Sequence, residues 1–376
     1  MLGLMSILSL SLIMGILIPD INENTNRKKT YLLIIFGAMF FYSAFRGSNV
    51  GIDTYNYKMS FYEIKNYGLW QSFSYLRLEK GYILLNYILS CFSNNAQIVL
   101  IITSLFISYS FAQCIYKYSE NIVLSTFLYI IFIFSSTMNI TRQYVALGFI
   151  LLSFKYLISK KTIKAGILVV IAILFHNTAI VFLPFLVITM PKFKINTKII
   201  SLFCIISTVI VYSFDKGLNL LFRIFPIYKR FMDLQLYSSE SDLSIPWLLC
   251  YICIFIGAII SIRRENKTEV IDKKNVLLKK EVYNEQSFGL FILLYIAFII
   301  SYIFSKRLWI ASRMLAYFKP SLCIVLPNVL EKLLPKKSAI KYIVYFLFIA
   351  IFFVWGYSMF LKDPHGLLPY NFFKIR

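Results

Sequence analysis

The feature that most constrains this chain is a succession of long apolar runs, separated by short basic gaps almost from one end to the other. Such runs lie at 2–18, 31–45, 97–116, 121–137, 142–158, 198–214, 245–262, 287–304, 309–330 and 340–360, with a compressed pair within 165–190. About 20 apolar residues in a helix cross the roughly 30 Å of bilayer hydrocarbon, and a soluble domain cannot bury so many such runs on all sides. Charged residues make up 15% of the chain and hydrophobic ones 59%, whereas a soluble fold is about a quarter charged. The runs predict an all-α polytopic integral membrane protein, one membrane domain over residues 1–376, with about 11–13 transmembrane helices, some re-entrant or half-length. The run at 2–18 has no basic flank before it and no small-residue cleavage motif, so it reads as a retained span.

Thirty-nine Lys and Arg against 17 Asp and Glu leave a net charge of +22. In a soluble domain that excess would point to nucleic acid, but here its position excludes that partner. Basic clusters at Arg27–Lys29, Lys160–Lys164, Lys192–Lys198, Arg263–Lys280 and Lys332–Lys341 fall between apolar runs, the distribution of cytoplasmic loops. Anionic lipid headgroups are the partner this charge predicts. Cys250 and Cys253 have metal-site spacing, but no second Cys or His pair accompanies them, so the cysteines read as small buried hydrophobes and no metal or other cofactor is expected.

Placing the basic gaps inside and alternating the spans makes 46–96 and 215–244 external loops and 263–286 a cytoplasmic one. Lys160–Lys164 and Lys192–Lys198 share the inner side only if residues 165–190 enter and return. That stretch is short for two passes, which predicts two tilted or half-length helices with His176 and Asn177 at a tip facing a protein-lined cavity. Residues 81–92 are short for a full span and read as an external re-entrant or interfacial segment. This topology puts Arg46, Asp53, Glu79, Arg142, His176, Arg230 and Arg313 at or near the external face.

Each of these groups has a chemistry to offer. In FRGSNVGIDTYNY at 45–57, Arg46 provides paired donors for phosphate and Asp53 provides acceptors for a sugar hydroxyl, with Tyr55 and Tyr57 beside them. An internal Arg46–Asp53 ion pair shaping the loop is the alternative. Glu79, between Arg77 and Lys80, is a proton acceptor if desolvation outweighs its basic neighbours and a surface ion pair otherwise. Arg142 follows Asn139 and Thr141, either of which can cap a helix. A cation at a helix N-terminus makes sense where an anion such as pyrophosphate bridges the two. His176 lies mid-way through apolar sequence, where imidazole serves as a base or as a hydrogen-bonding link between helices. In 215–244, Tyr228, Arg230 and Tyr237 mix aromatic and polar groups suited to sugar rings or to a membrane interface, and Arg313 and Tyr317 extend that character.

FRG and GIDTYNY within 45–57, Glu79-Lys80-Gly81-Tyr82, NITRQYVALG at 139–148 and FHNTAIVFLP at 175–184 occur in an order that resembles the EpsG-like branch of the Wzy-type polysaccharide polymerases. The resemblance covers much of the first half, and in the second half span layout and the Arg313-to-Tyr317 region. It implies a GT-C-like, metal-independent glycosyltransferase in the bacterial cytoplasmic membrane, its site facing outward. One undecaprenyl-diphosphate-linked oligosaccharide would be donor and another acceptor, in capsule, exopolysaccharide or O-antigen assembly, alongside a chain-length regulator or other assembly proteins. Carried onto this chain, Glu79, Asp53, His176 and Arg142 are the catalytic expectations. Arg46, Tyr55, Tyr57, Arg77, Arg142, Tyr228, Arg230, Tyr237 and Arg313 are the substrate-binding ones. A transporter of lipid-linked oligosaccharide is the competing reading.

Overall fold

The computed structural model describes residues 2–224, 244–269, 278–305, 309–335 and 338–373. Their regular elements are helical, with an isolated antiparallel bridge between Arg46 and Phe372. The order begins α1 (Leu2–Leu17), α2 (Thr25–Ala44), α3 (Thr54–Tyr75), α4 (Lys80–Phe92), α5 (Gln97–Tyr118) and α6 (Ile122–Tyr129). A π-helical segment, Ile130–Phe134, leads into α7 (Ser135–Asn139), followed by α8 (Thr141–Ile158), α9 (Thr162–Phe175) and a 3-10 segment, Asn177–Thr189. Then come α10 (Thr197–Ile224), α11 (Ile245–Glu269), α12 (Leu278–Ser305), α13 (Trp309–Phe318), α14 (Pro320–Leu333) and α15 (Ala339–Lys362).

Among the described residues, five stretches, Gln97–Tyr118, Ile122–Asn139, Ile245–Ile262, Glu285–Ser305 and Ala339–Lys362, are long and apolar enough to cross a membrane. The chain is thus an all-α, multi-pass membrane protein with several long apolar helices. It divides into two compact units, Met1–Thr189 with Ser338–Arg376, and Met190–Lys337.

In the first unit, α2 starts where the Asn24 side chain accepts hydrogen bonds from the amides of Asn26 and Arg27, as an N-cap does. Its buried face, Tyr31, Ile35, Met39 and Tyr42, follows helical spacing, and Tyr31 meets Ser11 of α1 at 2.6 Å. Residues 46–80, expected as loop, contain α3, a 22-residue helix kinked at Gly68 where φ is 73°. Its Tyr57 and Phe61 pack with Tyr82 and Leu89 of α4 and Val99 of α5. Apolar and polar residues are interspersed along the helix, so the segment has no long apolar run to announce it. Segment 81–92, expected as re-entrant or interfacial, is helix α4.

The pair expected within 165–190 is a hairpin of unlike arms. Helix α9 ends at Phe175, His176 is extended at φ −160°, and the returning arm is 3-10 with Pro184 inside. The Lys160 ammonium donates to the Ile188 carbonyl and Thr162 Oγ1 to Thr189 Oγ1 at 3.0 Å, tying the two feet together. The segment is therefore a hairpin with His176 at its turn.

After α15 the chain folds back over the loop that follows α2. Asp363, at φ 42°, caps α15, and its carboxylate accepts from the amides of Leu367 and Leu368 at 2.7 and 2.8 Å. Amides of Gly47, Gly51 and Ile52 donate to the carbonyls of Asn371, Gly366 and His365 at 2.9, 2.8 and 3.1 Å, and Phe373 N–H donates to the Phe45 carbonyl at 2.7 Å. The Tyr370 ring stacks on Tyr42 with centroids 4.0 Å apart. His365 contributes its carbonyl to this strap.

In the second unit α12 is buried along most of its described length, from Phe288 to Phe298, as a helix that is apolar all round must be. Gln286 and Ile195 exchange two hydrogen bonds at 3.0 and 3.2 Å. The run expected to be continuous over 309–330 is interrupted at Lys319, because Pro320 has no N–H to continue the α13 ladder and instead starts α14. The interval 263–286, expected as loop, is helical up to Glu269 and again from Leu278, and α10 runs to Ile224, into the expected loop 215–244.

Candidate functional site

In the first unit, three helix ends converge on one carboxylate. Glu79 is the residue before α4, Arg142 lies in the first turn of α8, and His176 follows the last residue of α9. One Glu79 oxygen, Oε2, pairs with the Arg142 guanidinium, and the other, Oε1, lies 2.8 Å from His176 Nδ1. The three side chains are 11%, 26% and 18% exposed respectively, so the cluster is shielded yet open to a ligand. Terminal positions allow this meeting, since a side chain there projects beyond the helix instead of lying along it.

Gly81 makes the close approach possible. A Cβ at this position would sit 2.7 Å from the Leu174 carbonyl, so the first turn of α4 rests on the last turn of α9 and carries Glu79 to His176. Below the cluster, the Arg142 guanidinium lies over the rings of Tyr57 and Tyr82, 6.0 and 5.6 Å from their centroids, where the π faces stabilise its charge. Tyr57 donates its hydroxyl hydrogen to the Asn139 carbonyl at 3.0 Å.

Burial pushes the Glu79 carboxyl up, but the hydrogen bond from His176 and the charge of Arg142 outweigh it and leave the pKa below the usual carboxylate value. The competition left open by the sequence is decided for the basic partners, although they are not the expected Arg77 and Lys80. Both of those residues are exposed. The Glu79 carboxyl is therefore ionised, and a carboxylate on Nδ1 favours the tautomer with its proton on that nitrogen, leaving Nε2 as the acceptor.

Arg46 occupies a different environment. Its side chain is essentially buried, with the residue 1% exposed. Nε donates to Thr54 Oγ1 at 3.2 Å, Nη1 to the Ser43 carbonyl at 2.6 Å, and Nη2 to the Met138 carbonyl and Thr141 Oγ1 at 3.1 and 3.3 Å. The Met138 and Asn139 carbonyls are available because the chain leaves the helix at Ile140, φ −91° and ψ 52°, just after the π segment. Asn139 and Thr141 make no side-chain cap on α8. Asn139 Oδ1 instead accepts from the Asp53 amide at 3.0 Å, and Thr141 Oγ1 donates to the Thr137 carbonyl at 3.0 Å. Gly51, at φ 90°, lets the loop turn where a Cβ would come within 2.8 Å of the Met138 carbonyl.

The remaining expectations separate by position. Asp53 is half-buried before α3, and no ion pair with Arg46 occurs among the described residues. Tyr55 and Arg77 are exposed, and Tyr57 is buried beneath Arg142. Arg313 is half-buried in α13, in the second unit, while Tyr228, Arg230 and Tyr237 lie outside the described residues. Sequence reasoning missed Gly81 as the spacer, Tyr82 as half of the aromatic floor and Lys58, whose ammonium donates to Ser48 Oγ at 2.9 Å. Burial, with a smaller contribution from the charge of Arg46, lowers the Lys58 pKa to about 8. Among the described residues, no group of three His, Cys, Asp or Glu side chains could hold a metal ion.

No match to a curated protein or to a solved structure was found. The family model described as the EpsG family matches residues 29–372, a span that takes in the buried Arg46 loop, the Glu79–Arg142–His176 cluster and the strap after α15. The chain belongs to the EpsG family, a family of Wzy-type polysaccharide polymerases, and is thus a multi-pass membrane protein of polysaccharide biosynthesis.

Proposed function

We propose that this protein elongates a lipid-linked glycan at the cluster of Glu79, Arg142 and His176. The single observation carrying this reading is the shared carboxylate, with one oxygen on the Arg142 guanidinium and the other 2.8 Å from His176 Nδ1. Glu79 orients the imidazole so that Nε2 accepts the proton of the acceptor sugar's hydroxyl as its oxygen attacks the donor's anomeric carbon. The bond from that carbon to the donor phosphate breaks, and the leaving group is a lipid diphosphate. Arg142 balances the charge that grows on it. The proton on His176 is then released to solvent or to the departing diphosphate, restoring the neutral imidazole.

In this reading donor and acceptor are undecaprenyl-diphosphate-linked oligosaccharides, and the site faces outward from the bacterial cytoplasmic membrane in a GT-C-like architecture. Asp53 and exposed Tyr55 and Arg77 serve the saccharide, with Arg230, Arg313, Tyr228 and Tyr237 as further contacts. Anionic lipids surround the helices, and a chain-length regulator or other assembly proteins act on the product. Arg46 positions the loop bearing Asp53. The test is reconstitution of the purified protein with a synthetic lipid-diphosphate repeat unit. Products longer than one repeat, lost in Arg142→Ala and His176→Ala, support the proposal. Movement of unchanged substrate between leaflets without elongation would establish the transporter reading instead.

A further inference from the structure

A groove separate from that cluster runs between α2 and α5. Its volume is about 610 Å³, within the roughly 300–1,000 Å³ typical of small-molecule sites. The two helices are antiparallel, as Lys28 donates to the Ser119 carbonyl at one end and Gln97 to the Ala44 carbonyl at the other. Lys29, Thr30, Gln113 and Tyr116 line one end, Ser108 and Tyr109 the middle, and Phe40 and Leu105 the other end. Between them Gly37 leaves the wall open, since a Cβ there would meet nothing within 4 Å.

The groove is therefore polar and cationic at one end and apolar at the other, the pattern of a lipid with an anionic head. Lys28 is engaged by Ser119 and lies 5.7 Å from the centre of the Tyr116 ring, and Arg27 donates to the Pro19 carbonyl at 2.8 Å. Lys29, the third of this basic cluster, is exposed at the groove mouth. From Lys29 to Phe40 the helical rise gives about 16 Å, close to one leaflet's half of the roughly 30 Å hydrocarbon core.

We propose that this groove holds one anionic phospholipid, its phosphate at Lys29 and one acyl chain lying along α2 and α5 past Gly37. The site is independent of the proposed polymerisation. Ala44, beside the Arg46 loop, is about 22 Å along α2 from Lys29, so a headgroup at Lys29 does not reach the Glu79 cluster.

The test is native mass spectrometry of the full-length protein taken from vesicles of equimolar phosphatidylglycerol and phosphatidylcholine. One retained phosphatidylglycerol per chain is expected, in preference to phosphatidylcholine. Lys29→Gln should lower that preference about fivefold, the equivalent of roughly 1 kcal/mol for one basic residue near an anionic headgroup. Gly37→Leu, which fills open space without meeting a neighbour, should abolish retention while leaving the thermal midpoint unchanged. Equal retention of the two lipids, or retention indifferent to Gly37→Leu in folded protein, would overturn the proposal. So would displacement of the phospholipid by added undecaprenyl phosphate, which would make the groove a polyprenyl site. If Gly37→Leu fails to fold, the exposed Lys29→Gln variant decides the matter through the same preference ratio.

Discussion

Arg46 and Arg142 both lie in the first unit at the edge of an apolar run, yet their surroundings differ. The donors of Arg46 are taken by two backbone carbonyls and two threonine hydroxyls inside the protein. Arg142 faces a carboxylate, rests on two aromatic rings and keeps about a quarter of its side chain exposed. A guanidinium offers five N–H donors, so what separates a brace from a ligand-binding group is how many of them the protein itself consumes. Charge and position along the chain do not distinguish the two.

The contrast is sharpest in activity. His176→Ala should slow elongation by about 10²–10⁴-fold, the usual contribution of a positioned base, and Arg142→Ala by about 10²–10³-fold, as for loss of a transition-state donor. Single-turnover product analysis measures both, and unfolding midpoints near those of the unsubstituted protein would locate the loss in chemistry. Arg142→Lys should recover little, because one ammonium cannot grip Glu79 and a phosphate with a planar fork. Next comes Gly81→Ala. The added methyl collides with the Leu174 carbonyl and moves Glu79 off His176, a displacement that costs up to about 10²-fold in rate. Because Glu79 acts through His176, the variant's pH–rate profile should change as well as its rate, and an unchanged profile would reduce Gly81 to a packing role.

Arg46→Met reverses the order of effects, with stability falling first. Each carbonyl left buried without a donor costs about 1–3 kcal/mol, which thermal unfolding in detergent or nanodiscs reads directly. A variant with full stability but no elongation would break the comparison by moving Arg46 into the ligand-binding class. The smallest effect is on pH dependence. Glu79 has a folded-state pKa depressed below the ordinary 4.5, so its stabilising contribution is fully present above that unfolded value and is lost as pH falls through the lower folded one. Glu79→Gln should remove this part of the acid limb from an unfolding-versus-pH curve, and an unchanged limb would show that the carboxylate is not held as described.

Much of the fold was legible because bilayer thickness converts directly into the length of an apolar run. Among the described residues, the five stretches long and apolar enough to cross a membrane all coincide with expected spans, and the hairpin over 162–189 falls where a compressed pair was expected. Helix α3 was not legible, because its apolar residues are interspersed with polar ones and the packing partners of Tyr57 and Phe61 come from α4 and α5. The strap after α15 escaped for a similar reason. It is held by backbone hydrogen bonds to residues some 320 positions away, and backbone donors carry no sequence signature.

The candidate site divides along the same line. Residue type and context placed Glu79, Arg142 and His176 among seven candidate polar groups, since an ionisable group beside or within apolar sequence is costly unless something repays it. Which of the polar groups touch was decided in three dimensions. The break at Ile140 freed the Met138 carbonyl that accepts from Arg46, the bare Gly81 let α4 rest on α9, and the ends of three helices brought one carboxylate to both its partners. Hydropathy is a property of a segment and survives in the sequence, whereas a hydrogen bond between residues 97 positions apart depends on where helices stop and how closely they pack. The sequence by itself therefore determined the membrane class and the candidate groups, and the tertiary structure decided which arginine is enclosed by protein acceptors and which meets a carboxylate at a partly exposed cluster.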